Sequence, residues 1–126
     1  MAKHYITQVP GTPVPPSPIS QAVVVGNTCH ISGQLATYDD GYRPGSAHEE
    51  AERAFELLFR IVEHAGFERS DIVYVDIAFI DMTRDVAAIN ALYGALFTNP
   101  PARTIYQAAA LPYGAKIKVQ AVAMRG

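Results

Sequence analysis

The sequence predicts an α+β domain with one sheet and two helices packed on one of its faces. Three observations carry that expectation. Residues 46–65 hold an apolar stripe at helical spacing behind a capping box. Residues 72–80, Ile-Val-Tyr-Val-Asp-Ile-Ala-Phe-Ile, are a β-branched and aromatic run. Further β-favouring segments lie before the first helix and after the second, so strands and helices mix rather than alternate strictly.

Taken in order, Lys3 to Gln8 predicts a short opening strand. Residues 9–20 carry Pro10, Pro13, Pro15, Pro16 and Pro18, which cannot join a helix or a central strand. They predict a stiff extended segment that can wall a pocket. Ala22 to Val25 and Thr28 to Ser32, joined by Gly26-Asn27, predict a β-hairpin, and Gly33 at its end leaves room for a ligand or another backbone. Residues 36–45 predict a loop.

Ser46 and Glu49 form the capping box, and the helix behind it runs to about Ala65. Its stripe is Ala51, Ala54, Phe55, Leu58, Ile61, Val62 and Ala65. Glu49–Arg53 and Glu56–Arg60 are i,i+4 pairs, and Gly66 suits the C-terminal cap. After the strand over 71–81, Thr83 is expected to cap a second helix through about Phe97. Its stripe is Val86, Ile89, Asn90, Tyr93, Leu96 and Phe97. Pro100-Pro101 stops it, because two prolines remove two donors and fix φ. A strand from Arg103 to about Ala109, a loop over 111–114 and a last strand from Lys116 to Met124 complete the order β-ββ-α-β-α-ββ. Two helices cover one face of such a sheet. The strand over 71–81 is apolar on both faces, so the second face is expected to meet another copy, with a pocket between subunits.

The totals bound the function. With 126 residues the expectation is a single domain over 1–126, burying roughly two thirds of its unfolded surface. A 49% apolar and 17% charged composition fits a folded core, while a net charge of −2 without a basic run argues against nucleic acid as a partner. No stretch approaches the ~20 apolar residues of a membrane span. The first residues lack the apolar core of a signal peptide, and the lone Cys29 fits a reducing compartment, so a soluble cytoplasmic protein is expected.

Arg103 is the leading site residue. It follows a stiff turn at the mouth of a strand, and its planar fork suits a carboxylate. Lys118 has two readings. It is a solvated strand lysine, or it shares a pocket with Arg103, where two cations suit a doubly acidic ligand and mutual repulsion favours a neutral amine able to act as base or nucleophile. Cys29 and His30 point to opposite faces of their strand and cannot cooperate, so Cys29 reads as a buried structural thiol. Ser32 has no accompanying His and acid constellation and reads as a hydrogen-bonding group at the cleft. The histidines at 4, 30, 48 and 64 lack metal-ligand spacing, and no glycine-rich phosphate loop is present, so neither metal nor cofactor is expected.

Ser17-Pro18 with Gln21, Ile31-Ser32-Gly33-Gln34, Asn90 with Tyr93, Pro101-Ala102-Arg103-Thr104, Leu111-Pro112 and Ala121-Val122-Ala123 fall in the order and spacing of the Rid family. The chain resembles these YjgF/RidA-type proteins, also labelled endoribonuclease L-PSP, over essentially its whole length. The resemblance implies a chorismate-mutase-like fold and a homotrimer with three intersubunit clefts. It implies hydrolysis of 2-aminoacrylate and related enamines or imines to 2-keto acids and ammonia, without metal or cofactor. It further implies that Arg103 binds the substrate carboxylate, that Gly33 and the backbone near Ile105 hold the ligand, and that Asn90 occupies a recurring family position. The chain departs from the pattern where the family's last-strand glutamate, thought to position water, falls on Lys118, and where its usual tyrosine falls on Ile19. Two functions follow: an imine deaminase using Arg103 and Lys118, with Gly33, Ile105, Ile19, Ser32, Asn90 and Tyr93 lining the substrate; or a non-catalytic binding protein for small 2-keto or dicarboxylic acids. Ribonuclease activity fits poorly with an acidic chain.

Overall fold

A computed structural model describes residues 1–126. Its sheet is assembled from β1 (Lys3–Ile6), β2 (Ala22–Val25), β3 (Thr28–Gln34), β6 (Ile72–Phe79), β7 (Ala102–Gln107) and β8 (Ile117–Met124), in the spatial order β1-β2-β3-β8-β6-β7. The helices are α1 (Ala47–His64) and α2 (Met82–Leu96), and β4 (Thr37–Tyr38) pairs with β5 (Gly41–Tyr42) in a separate ribbon. Residues 36–45 are therefore a small hairpin and not a plain loop. The two closing strands, consecutive in the chain, are not neighbours. β8 runs antiparallel between β3 and β6, while β7 lies parallel to β6 on the outer edge. β7 and β8 share no register with each other; each takes its register from β6.

Cross-strand pairing sorts the side chains into two faces. The helix side carries the rows Ala121–Val75–Arg103, Val119–Ile77–Ile105 and Ile117–Phe79–Gln107. The far side carries Val122–Tyr74–Ala102, Gln120–Asp76–Thr104 and Lys118–Ala78–Tyr106. A register shift between Ile72 and Tyr74 turns Ile72 to the helix side, where it is buried, and leaves Val73 exposed. Strict alternation through β6 groups these two residues the other way, and the irregularity reverses them. The far face is correspondingly more polar than an apolar β6 implies.

The core lies between the helix face of the sheet and the two helices. Ala51, Ala54, Phe55, Leu58, Ile61 and Val62 of α1 meet Val75, Ile77, Phe79, Ile117 and Val119 in one buried cluster. Phe55, Phe59, Tyr93 and Phe97 join α1 to α2, with ring centroids 4.8–6.3 Å apart. The capping box at Ser46 and Glu49 is formed, and hydrogen bonding from Ser46 holds the Glu49 carboxyl below its ordinary value. The expected Glu49–Arg53 and Glu56–Arg60 pairs do not form. Glu49 is committed to the cap, and Arg53 turns to Glu56 and to the Thr37 carbonyl. Asp81, not Thr83, caps α2 by accepting from the Arg84 N–H at 3.1 Å.

Two buried polar residues tie the fold at points the sequence pattern does not mark. Glu50 accepts from the Tyr42 hydroxyl at 2.8 Å and the Lys116 N–H at 3.0 Å, joining β5, α1 and the start of β8. Gln21 receives the Val9 N–H at 2.7 Å and donates to the Thr12 hydroxyl at 2.9 Å. The proline-rich segment is thereby clamped to the sheet by a side chain at the foot of β2. No helix is long and apolar enough to cross a membrane.

Candidate functional site

Arg103 opens β7 on the helix side of the sheet. Pro100 and Pro101 end the preceding turn, and the Tyr93 hydroxyl donates to the Pro101 carbonyl at 3.1 Å, fixing the entry to the strand. The aromatic cluster between the helices holds Tyr93, and its ring carries the Arg103 guanidinium at 4.8 Å from centroid to Cζ. Burial pushes the Tyr93 phenol above its ordinary pKa, with the Arg103 charge pulling it down. Arg103 is half-buried, makes no hydrogen bond, and has no carboxylate within 4.0 Å. A half-buried guanidinium with all its donors unengaged invites an anion.

The backbone beside it is also free. The Ala108 N–H donates inward to the Phe79 carbonyl at 2.8 Å, so alternate residues of β7 bond to β6. The same alternation turns the N–H and C=O groups of Arg103, Ile105 and Gln107 to the open outer edge. Arg103 and the Ile105 amide can therefore act on one ligand together. Gln107, the third member of the row, is spent on the Met82 N–H at 2.9 Å. Tyr93 is buried beneath the guanidinium, whereas Asn90 is exposed and outside the apolar stripe expected to include it. The buried side of α2 instead uses Leu92, with Ile89 and Tyr93.

The second group of expected site residues lies on the other face. Lys118 shares its row with Ala78 and Tyr106, is half-buried, and has neither a hydrogen bond nor an ion pair. Gly33 flanks it on β3, where a Cβ would stand 3.0 Å from Lys118 Cδ and 3.2 Å from Cγ. Ser32 is less free than expected, since its hydroxyl donates to the Ser20 carbonyl at 2.6 Å and helps hold the proline-rich segment. That segment leaves Ile19 49% exposed, an apolar side chain standing at the rim. A neighbouring depression of about 230 Å³ is lined by His30, Tyr74, Asp76 and Gln120 among others.

Arg103 and Lys118 thus sit on opposite sides of one sheet, and within one protomer they do not share a pocket or repel each other. Tyr106, in Lys118's row and 41% exposed, was not singled out from sequence. The alternation of β7 does carry that signal, because even positions must face away from Arg103. Cys29 is fully buried, and burial pushes its thiol up to about 11, opposed by Arg125, so it is not a nucleophile. No cluster of three or more His, Cys, Asp or Glu side chains is arranged to hold a metal ion.

The chain is similar to known proteins over most of its length. The profile of the family described as Endoribonuclease L-PSP matches residues 11–125. A Dermatophagoides farinae protein named 2-iminobutanoate/2-iminopropanoate deaminase is 36% identical over 125 residues, covering 97% of each chain. The Mus musculus protein of the same name is 37% identical over 112 residues, covering 86% of this chain and 82% of its own. Among solved structures, that of the Escherichia coli YjgF gene product superposes with a TM-score of 0.89 at 31% identity, covering 98% of this chain and 100% of the other.

Proposed function

This chain belongs to the endoribonuclease L-PSP family, the YjgF/RidA-type or Rid proteins, and from that premise we propose that it hydrolyses small reactive 2-imino acids, and the enamines in equilibrium with them, to 2-keto acids and ammonia. The observation that carries the reading is the unpaired, half-buried Arg103 stacked on Tyr93 beside the open-edge amide of Ile105. A 2-imino acid offers the matching group, a planar carboxylate one bond from the reacting carbon. Relatives named for that reaction at 36% and 37% identity support the same assignment.

The site we propose is a cleft between two copies of the chain in a cytoplasmic homotrimer, each copy acting as one domain over residues 1–126. The two sets of expected residues occupy opposite faces of the sheet, so the Arg103 half of one copy needs the Gly33 and Lys118 half of its neighbour. Arg103 grips the carboxylate in bidentate fashion, with the Ile105 N–H as a further donor, and the imine carbon faces the neighbour's Gly33. Water then adds to that carbon. Its oxygen bonds to C2 while a proton goes to the imine nitrogen, giving a carbinolamine. The C–N bond breaks, the hydroxyl proton leaves with ammonia, and the C=O of the keto acid forms. No electrons are exchanged and no cofactor is consumed. Such an imine is already activated, so holding it against water in a fixed orientation supplies the main acceleration.

Lys118 favours a second reading. A cation stands where the family's water-positioning acid belongs, which suits a protein that binds 2-keto or dicarboxylic acids without turning them over. One experiment separates the two. 2-Iminopropionate is generated in situ by an amino-acid oxidase, and pyruvate release is followed against imine trapping by semicarbazide. The deaminase reading expects acceleration by the wild type, reduced about 100-fold in Arg103→Ala by loss of a charge-assisted bidentate contact. No acceleration, together with saturable pyruvate binding that Arg103→Ala abolishes, selects the binding protein. Turnover and binding both unchanged in Arg103→Ala would sink the site altogether.

A further inference from the structure

Lys118 is an unpaired cation on the face of the sheet away from the helices, and its surroundings describe what it takes. It pairs with no carboxylate of its own chain. The nearest acid on its face is Asp76, one pair along β6 in the diagonal position, and that carboxylate accepts from Gln120 Nε2 at 3.5 Å. Across the row stand Ala78 and Tyr106, which offer no compensating charge. On the β3 side the absence of a side chain at Gly33 lets the lysine stem lie against the strand. Any Cβ there would meet Cδ at 3.0 Å and force the stem away. The ammonium is thus carried on an apolar, closely packed stem to an open position without a partner.

We propose that Lys118 binds a second carboxylate of the substrate, so that the preferred substrates are 2-imino acids of four- and five-carbon dicarboxylic acids. This rests on the intersubunit deaminase cleft, in which Arg103 of one copy takes the carboxylate next to the imine and Lys118 of its neighbour takes the one at the far end of the side chain. Two unpaired cations in one water-poor cleft repel each other, and a ligand with a single carboxylate leaves one of them uncompensated. A dianion satisfies both. The two cations are chemically suited to their ends. The rigid fork of arginine fixes the carboxylate whose position sets the reacting carbon, whereas the flexible stem of lysine reaches side chains that differ by one methylene. Discrimination works by penalty as well as attraction, since a neutral side chain meets an ammonium it cannot pair.

The test compares imines made in situ from alanine and from aspartate, each by a suitable amino-acid oxidase, with keto-acid release followed by semicarbazide competition. Binding of succinate and of propionate is measured in parallel by calorimetry. The wild type is expected to favour the aspartate-derived imine by about 10- to 100-fold in kcat/KM, the worth of one charge-assisted contact. Lys118→Met should remove that preference, and Lys118→Glu should reverse it toward the alanine-derived imine. Lys118→Gln, one atom shorter but keeping a donor without the charge, supplies the comparison if the methionine variant does not fold. Succinate should bind more tightly than propionate, and only while Lys118 is present. A wild-type ratio near one, or a ratio unmoved in the folded variants, overturns the proposal while leaving the deaminase standing. Tight, Lys118-dependent succinate binding without turnover of either imine leaves the carboxylate subsite standing and overturns the deaminase.

Discussion

At the scale of single residues, burial decides which groups carry chemistry. Cys29 lies wholly inside the core, and desolvation raises its thiol from 9.0 to about 11. The folded state therefore holds that proton more tightly than the unfolded chain does. The resulting stability is complete below pH 9 and is lost as pH rises through 11, by about 3 kcal/mol in all. Tyr42, raised to about 12 first by burial and then by Glu50, adds a decline one unit higher. Urea denaturation at pH 8, 9, 10 and 11 should show wild-type stability falling over that interval and Cys29→Ala falling less, over and above its pH-independent cavity cost. Parallel profiles for the two proteins would show that Cys29 does not titrate with unfolding. Arg103 is the contrasting case, kept half-exposed by the stiff Pro100-Pro101 turn and by the Tyr93 ring beneath it. Its placement at the mouth of a strand behind a stiff turn was legible in the sequence, because proline rigidity is a local property. The commitment of the Ser32 hydroxyl to Ser20, and the exposure of Asn90, were not, since both depend on which element lies alongside.

At the scale of elements, helix starts are set by the first side chain that reaches the free N–H groups. Asp81 and Thr83 are both acceptable caps by residue type, and the end of β6 decides between them. The strand runs to Phe79, and the chain turns at once, so Asp81 arrives first in a non-helical conformation and its carboxylate accepts from the Arg84 N–H. Asp81→Ala should cost about 1 kcal/mol, with Thr83→Ala near zero. A chemical denaturation series on the two variants checks this, and a larger loss for Thr83→Ala would move the cap back. The same contrast explains how much of the fold the sequence disclosed. Existence and type of the helices and of the six sheet strands follow from period and from turn residues, which are short-range. The insertion of β8 between β3 and β6, the register shift that turns Ile72 inward and the β4–β5 ribbon depend on partners distant in sequence. Such long-range pairing leaves no local periodicity to read.

At the scale of the whole molecule, the separation of Arg103 from Lys118 by one sheet becomes a statement about assembly. The register of β7 and β8 on β6 puts the two on opposite faces, and no side-chain rotation crosses a packed sheet. A cleft holding both must take them from different copies through a heterologous contact, which closes into a ring of three in the proposed trimer. That arrangement makes the halves of the site separable. Arg103→Ala removes one half and leaves the Gly33 surface intact. Gly33→Trp fills the other half and displaces the Lys118 stem, and it leaves Arg103 untouched. Each variant alone should be inactive on the imine generated in situ. Unfolded together in equal amounts and refolded, they should recover about a quarter of wild-type activity, because one cleft in four then draws its arginine from a Gly33→Trp copy and its glycine from an Arg103→Ala copy. Sedimentation of the mixture must report mixed trimers for the comparison to count, and an epitope tag on one variant, pulled down with the other, supplies that control. Mixed trimers with no recovered activity would mean that each active site is built within a single chain, and the face-to-face division of Arg103 and Lys118 would then have to be bridged by movement of the β7 edge instead.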